Sequence, residues 1–144
     1  MIRIGEYKDV DQGVKLLEQH RVEFDFGQFK EDNTEYYKGL MEAIAKDKTA
    51  IISENDGVID GVLLGMKIPN LLNPQITQLH VLLTWVNPNK RGSLIFYRMN
   101  KMLEKEIKNH KEVKDIIFYS IPKTNINFNK LNYKEFQLMY KKEV

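Results

Sequence analysis

The chain has 144 residues, a formal charge of +2, 42% hydrophobic and 29% charged residues, and no cysteine. This length and balance fit one ordinary globular domain with a sizeable core. Disulfides, thiolate metal ligands and a cysteine nucleophile are excluded. The small net charge gives no reason to expect nucleic acid, and no apolar run approaches the roughly 20 residues that span a bilayer. With no signal-like apolar segment near Met1, a cytoplasmic protein is expected. His20, His80 and His110 are too dispersed for a metal site by spacing, so no metal is expected.

Met1 to Tyr7 reads as a strand. Asp9 is placed to cap a helix from Val10 to about Gln19, with Gln12 at the capping-box position. Arg21 to Glu31 is less regular and carries Phe24, Phe26 and Phe29 around Gly27. Asp32 or Asn33 starts a second helix to about Ala45, its apolar positions being Tyr36, Tyr37, Leu40, Met41 and Ile44. Ala50 to Ser53 and Val58 to Ile68 form a hairpin through Asn55-Asp56-Gly57, a turn that accepts positive φ at low cost. Asn70 to Gln75 is a loop, and Ile76 to Trp85 is a buried strand rich in branched and apolar residues. Leu94, Ile95, Met99, Met102, Leu103 and Ile107 recur at helical spacing, so a helix begins at about Gly92 or Ser93 and runs to about Asn109. A strand at Ile116 to Ile121, a short turn and a final strand at about Tyr133 to Tyr140 complete the chain. This order predicts an α/β sandwich: a mixed, mostly antiparallel sheet flanked by helices.

The junction Val86-Asn87-Pro88-Asn89-Lys90-Arg91-Gly92-Ser93 is suited to an anion. The first N–H groups of a helix lack partners within it and the macrodipole adds positive charge, so a phosphate fits there with Lys90 and Arg91 balancing its charge. An ordinary solvated basic loop has the same residue types, and both readings stand on this window alone.

The pattern Val86-x-Pro88-x-x-Arg91-Gly92 followed by an amphipathic helix resembles motif A of the GCN5-related N-acetyltransferases. The hairpin upstream, the strand Asp115 to Ile121 and Lys130-Leu131-Asn132-Tyr133 downstream match that superfamily in order. If Arg91 opens the family's Arg/Gln-x-x-Gly-x-Gly/Ala signature, Leu94 and Phe96 stand at its small-residue positions, so Phe96 must point into the core or the loop is shaped differently. The short connection after the fifth strand looks most like small acetyltransferases carried by bacteriophages, which would act in the host cytoplasm.

The resemblance implies a single acyl-coenzyme A N-acyltransferase-like domain that binds acetyl-CoA and transfers its acetyl group to an amine by direct attack in a ternary complex. The cofactor would lie on Trp85 and Val86 main-chain groups and on Lys90, Arg91, Gly92, Ser93 and Leu94, with Asn125 reaching its pantetheine or adenosine side. A coenzyme A-binding or partner-binding protein with little catalysis is the alternative, favoured by Leu94, Phe96 and Phe128 at signature positions.

An amine must lose its proton to attack, and a base works best with a pKa near the operating pH. His80 is the candidate, since steps of two through Leu82 and Thr84 put it on the same side of its strand as Val86. A histidine satisfied by backbone or by Gln78 explains it equally. Many relatives protonate the departing thiolate with a tyrosine, and the alignment puts Phe128 at that position. Tyr119, Ser120 or Tyr133 could substitute, or could simply pack. The acceptor, a small molecule or a protein amine, would meet Arg21 to Tyr37, whose aromatics serve equally as a satellite core. A homodimer is compatible with this reading.

Overall fold

The computed structural model describes residues 1–23, 34–119, 126–136 and 142. In chain order they form β1 (Ile2–Ile4), α1 (Val10–Glu23), α2 (Thr34–Asp47), β2 (Ala50–Asn55), β3 (Val58–Pro69), β4 (Thr77–Val86), α3 (Ile95–Ile107) and β5 (Val113–Phe118). Short 3-10 turns lie at Tyr7–Asp9, Pro88–Lys90 and Phe128–Leu131. The sheet runs β1-β2-β3-β4-β5. Its first three pairings are antiparallel and β4–β5 is parallel, as a crossover through α3 requires. The mixed, mostly antiparallel sheet predicted from the sequence is therefore present.

Two apolar layers hold the sheet. Val10, Val14, Met41 and Ile44 of α1 and α2 pack with Ile52, Val62, Leu83 and Trp85 on one face. Met99, Leu103 and Ile107 of α3 pack with Ile51, Leu63, Leu79 and Val81 on the other. The 3.6-residue periodicity of α3 thus reads correctly, whereas Tyr36 on α2 is 67% exposed and faces away from the core. Asp56 and Gly57 both take positive φ, 50° and 76°, the two-residue turn that matches strand twist.

Several local expectations are corrected. The first strand stops at Ile4 because Asp9 turns the chain: its carboxylate accepts from Glu6 N and is gripped by Arg3. Gln12 does not close a capping box. Its amide accepts from Ile59 N and donates to Gly57 O, bracing the β2–β3 hairpin against α1. The motif helix starts at Ile95 rather than Gly92 or Ser93, because Gly92 has φ 85° and Leu94 has ψ 5°, neither helical. Strand β5 begins earlier than predicted, since parallel pairing with Thr77–Val81 recruits Val113 to Asp115 before the apolar run begins. Tyr133 to Phe136 carry no strand, and residues 137–140 of the predicted last strand lie outside the described residues.

Candidate active site

Strand β4 carries a bulge that decides where its side chains point. Leu64 pairs with Leu83 and Gly65 with Val81, leaving Leu82 as an extra residue. Before it, Leu79 and Val81 face α3; after it, Leu83 and Trp85 face α1 and α2. His80, between Leu79 and Val81, is therefore on the α1–α2 face, while Val86 packs on the α3 side. This overturns the expectation that His80 and Val86 share a side, because counting in twos fails across an inserted residue.

The same strand opens on its β5 side. β4 pairs with β3 to Val86, but its pairing with β5 ends at Val81 opposite Phe118. Asn87 N donates to Asp60 O at 2.9 Å, which makes that an inward-bonded pair. By strict alternation the main-chain groups of Val86 and Thr84 then face the open edge, and those of Trp85 face Val62 across the β3 ladder. Thr84 and Val86, and not Trp85, thus present their main-chain groups to the open edge. Trp85 is buried, and its indole supports the strand from the α1–α2 core.

His80 and Tyr119 meet at the foot of this opening. Tyr119 follows β5 by one residue and shares a face with His80's partner Ile117, and its hydroxyl lies 2.6 Å from His80 Nδ1. Burial pushes the imidazole below its ordinary value, which keeps it neutral and able to accept a proton at neutral pH. Gln78, the alternative partner expected for His80, bonds Asp115 at 3.4 Å instead.

The loop after β4 is held by its own bonds. Asn87 Oδ1 accepts from Asn89 N, Lys90 N donates to Asn87 O, and Ser93 N donates to Lys90 O. Arg91 Nε donates to Val86 O at 3.0 Å, so the arginine lies against the open edge. Lys90 Nζ is 2.6 Å from Asp60 Oδ2 of β3, turned inward to an acid rather than out along the loop. Burial raises the Asp60 carboxyl, but hydrogen bonds from Lys90 and Ser53 outweigh it and hold it below the usual carboxylate range. Among the described residues, none of the hydrogen bonds takes up the N–H of Gly92, Leu94, Phe96 or Tyr97. Leu94 is exposed, and Phe96 is buried against Phe118 and Phe128, which resolves the Phe96 alternative in favour of the core.

Phe128 and Tyr133 belong to packing. Their rings cluster with Phe96 and Phe118, and the Tyr133 hydroxyl donates to Asn100 Oδ1 and Glu104 Oε1, both at 3.1 Å. Burial and the Glu104 carboxylate raise the Tyr133 phenol far above its usual value, and its hydroxyl is engaged by α3. Ser120, Asn125 and residues 24–33 of the predicted acceptor segment lie outside the described residues. Sequence reasoning missed Asp60 and Thr84. Asp60 had a signal, a lone acid inside the apolar run Val58 to Met66; Thr84 had none.

Solved structures share this architecture along the whole chain. A predicted acetyltransferase from Clostridium acetobutylicum, solved with acetyl-CoA, superimposes with TM-score 0.79 at 14% identity, covering 99% of this chain and 95% of that one. A GCN5-related N-acetyltransferase from Ralstonia eutropha JMP134 gives 0.70 at 15%, covering 99% and 97%. This chain has the GCN5-related N-acetyltransferase fold. Glucosamine-6-phosphate N-acetyltransferase from Arabidopsis thaliana shares it too, with TM-score 0.72 at 17% identity over 99% and 97%. At these identities the likeness establishes the fold alone. No protein-family model matches the sequence, and no curated protein sequence is significantly similar to it. No described helix is long and apolar enough to cross a membrane, and the described residues hold no cluster suited to a metal ion.

Proposed function

We propose that this protein transfers the acetyl group of acetyl-CoA to an amine by direct attack in a ternary complex. The observation that carries the reading is the opening between β4 and β5 with the His80–Tyr119 pair at its foot. A donor arm fits the open edge as an added strand, its amides on Thr84 and Val86 main-chain groups, while its phosphates meet the N–H groups of Gly92, Leu94, Phe96 and Tyr97 and the Arg91 guanidinium.

Thioester chemistry needs a proton removed from nitrogen and returned to sulfur, and the pair can do both. Tyr119 passes its hydroxyl proton to His80 Nδ1 as it takes one from the attacking nitrogen while the C–N bond forms. The reverse transfer puts that proton on sulfur as the C–S bond breaks, a thiol being a tolerable leaving group at pKa ~8.5. Both residues end as they began.

Exposed Leu94 at a motif glycine position favours a second reading, coenzyme A binding with little transfer. Melting with 1 mM acetyl-CoA, followed by thiol release on a panel of amines including an amino sugar phosphate, separates the two. Unchanged melting refutes both; stabilisation without thiol release on any amine selects the second.

A further inference from the structure

We propose that Asp60, on the far side of β4 from the opening, is a positioning residue for the donor-binding loop; the proposal rests on the coenzyme A reading above. Asp60 is itself a bulged residue, since Ser53 pairs with Gly61 and Glu54 with Ile59, leaving Asp60 without a partner on β2. A bulge re-aims a side chain, and here it delivers a carboxylate to the loop. Asp60 holds that loop at two points: its carbonyl accepts from Asn87 N at 2.9 Å and its Oδ2 accepts from Lys90 Nζ at 2.6 Å. Lys90 O in turn accepts from Ser93 N, carrying the restraint to the residues whose N–H groups are free.

Stability does not explain the pair. Asp60 is 6% exposed and its Oδ1 is buried without a hydrogen-bond partner. With the carboxylate buried and the Lys90 side chain 40% exposed, the ion pair only offsets the cost of desolvating Asp60, so what it supplies is a defined geometry. Lys90, which the sequence offers as a phosphate ligand, becomes on this proposal the tether of the turn, and Arg91 with the main-chain N–H groups receives the anion.

The test is titration calorimetry with coenzyme A on the full chain, with melting to monitor folding. Asp60→Asn and Lys90→Met should each weaken binding by about 10-fold, and the double variant should be no weaker than either, because both break one tether. Lys90→Met should leave the slope of log Kd against log salt unchanged, and Lys90→Arg should restore most of the affinity. A merely structural pair would lower the melting temperature without moving Kd. Unchanged or tighter binding by Asp60→Asn, multiplicative losses, or a salt slope reduced in Lys90→Met would overturn the proposal, the last by making Lys90 a direct phosphate ligand. If Asp60→Asn does not fold, the two Lys90 variants decide alone, since that side chain is 40% exposed. A wild-type chain that fails to bind refutes the coenzyme A reading itself and the tether with it, an outcome distinct from wild-type binding with indifferent variants.

Discussion

Replacing Tyr119 by Phe removes one oxygen, the one 2.6 Å from His80 Nδ1. Tyr119 is 43% exposed, so water replaces its hydroxyl at His80 Nδ1 and the loss costs stability about 1 kcal/mol at most, a fall in Tm of about 4 °C for a domain of this size. A native state stable by 5 to 15 kcal/mol remains almost wholly folded after such a loss. Loss of a proton relay is larger: about 100-fold in turnover, or roughly 2.7 kcal/mol on the barrier. The assay is thiol release with an accepted amine across pH. Because burial lowers the His80 pKa, its basic form is present above a value lying below about 6.5, and the rate falls as pH drops through it. Tyr119→Phe should keep this acid limb and lower the plateau, whereas His80→Ala should remove the limb. Wild-type turnover in Tyr119→Phe would refute the relay and return the pair to surface packing.

Arg91→Glu should shrink the thermal stabilisation given by acetyl-CoA, because repulsion replaces attraction at the edge where Arg91 meets Val86 O; equal shifts in both proteins would remove the loop from the binding site. Gly92→Ala meets no atom within 4 Å, so it should lower Tm only by the left-handed backbone cost of about 1 kcal/mol, or about 4 °C, while weakening coenzyme A in calorimetry. Arg3→Met should lower Tm by about 5 °C, as it strands Asp9 and Glu54, which lie 2.8 and 2.7 Å from the guanidinium. Asp9, Glu54 and Asp60 are all held below their ordinary values, so their stabilisation is complete above about pH 5 and is lost as pH falls through the folded values. Acid melts of Arg3→Met should show a flatter dependence than wild type.

The elements legible in the sequence are those set by local chemistry. Asp56-Gly57 announces its turn, the Met99-Leu103-Ile107 face announces α3, and Pro88 to Gly92 announces a break between β4 and α3, filled by a 3-10 turn at Pro88–Lys90. His80 and Tyr119 were each legible as chemistry-bearing, but their meeting was not, since it depends on β5 pairing in parallel with β4. What stayed hidden is set by pairing across distance. The bulge at Leu82 lies within Val81-Leu82-Leu83, where every residue is apolar and a change of face leaves no mark in the pattern. Gln12 looks like a cap until the hairpin arrives beside it, and Tyr133 looks like strand until α3 offers Asn100 and Glu104.

That hidden residue has the largest consequence. With Leu82 paired in the ladder instead of bulged out, alternation would set His80 and Val86 on one face, and a proton relay and an anion loop would lie along one side of the sheet. With it, His80 and Tyr119 stand on the α1–α2 face, while Val86 packs on the face of α3, whose N-terminus receives the loop. A molecule engaging both must pass from one face to the other, and among the described residues the gap past Val81, where β4 has left β5, lets it do so while bonding to Thr84 and Val86. Deleting Leu82 joins Val81 to Leu83, whose partners Gly65 and Leu64 are already adjacent, so the shortened β4 should keep His80 beside Tyr119, keep Val86 on the α3 face and retain transfer in protein that melts cooperatively. Loss of thiol release in such folded protein would refute this account, by showing that the bulge does more than set the two faces.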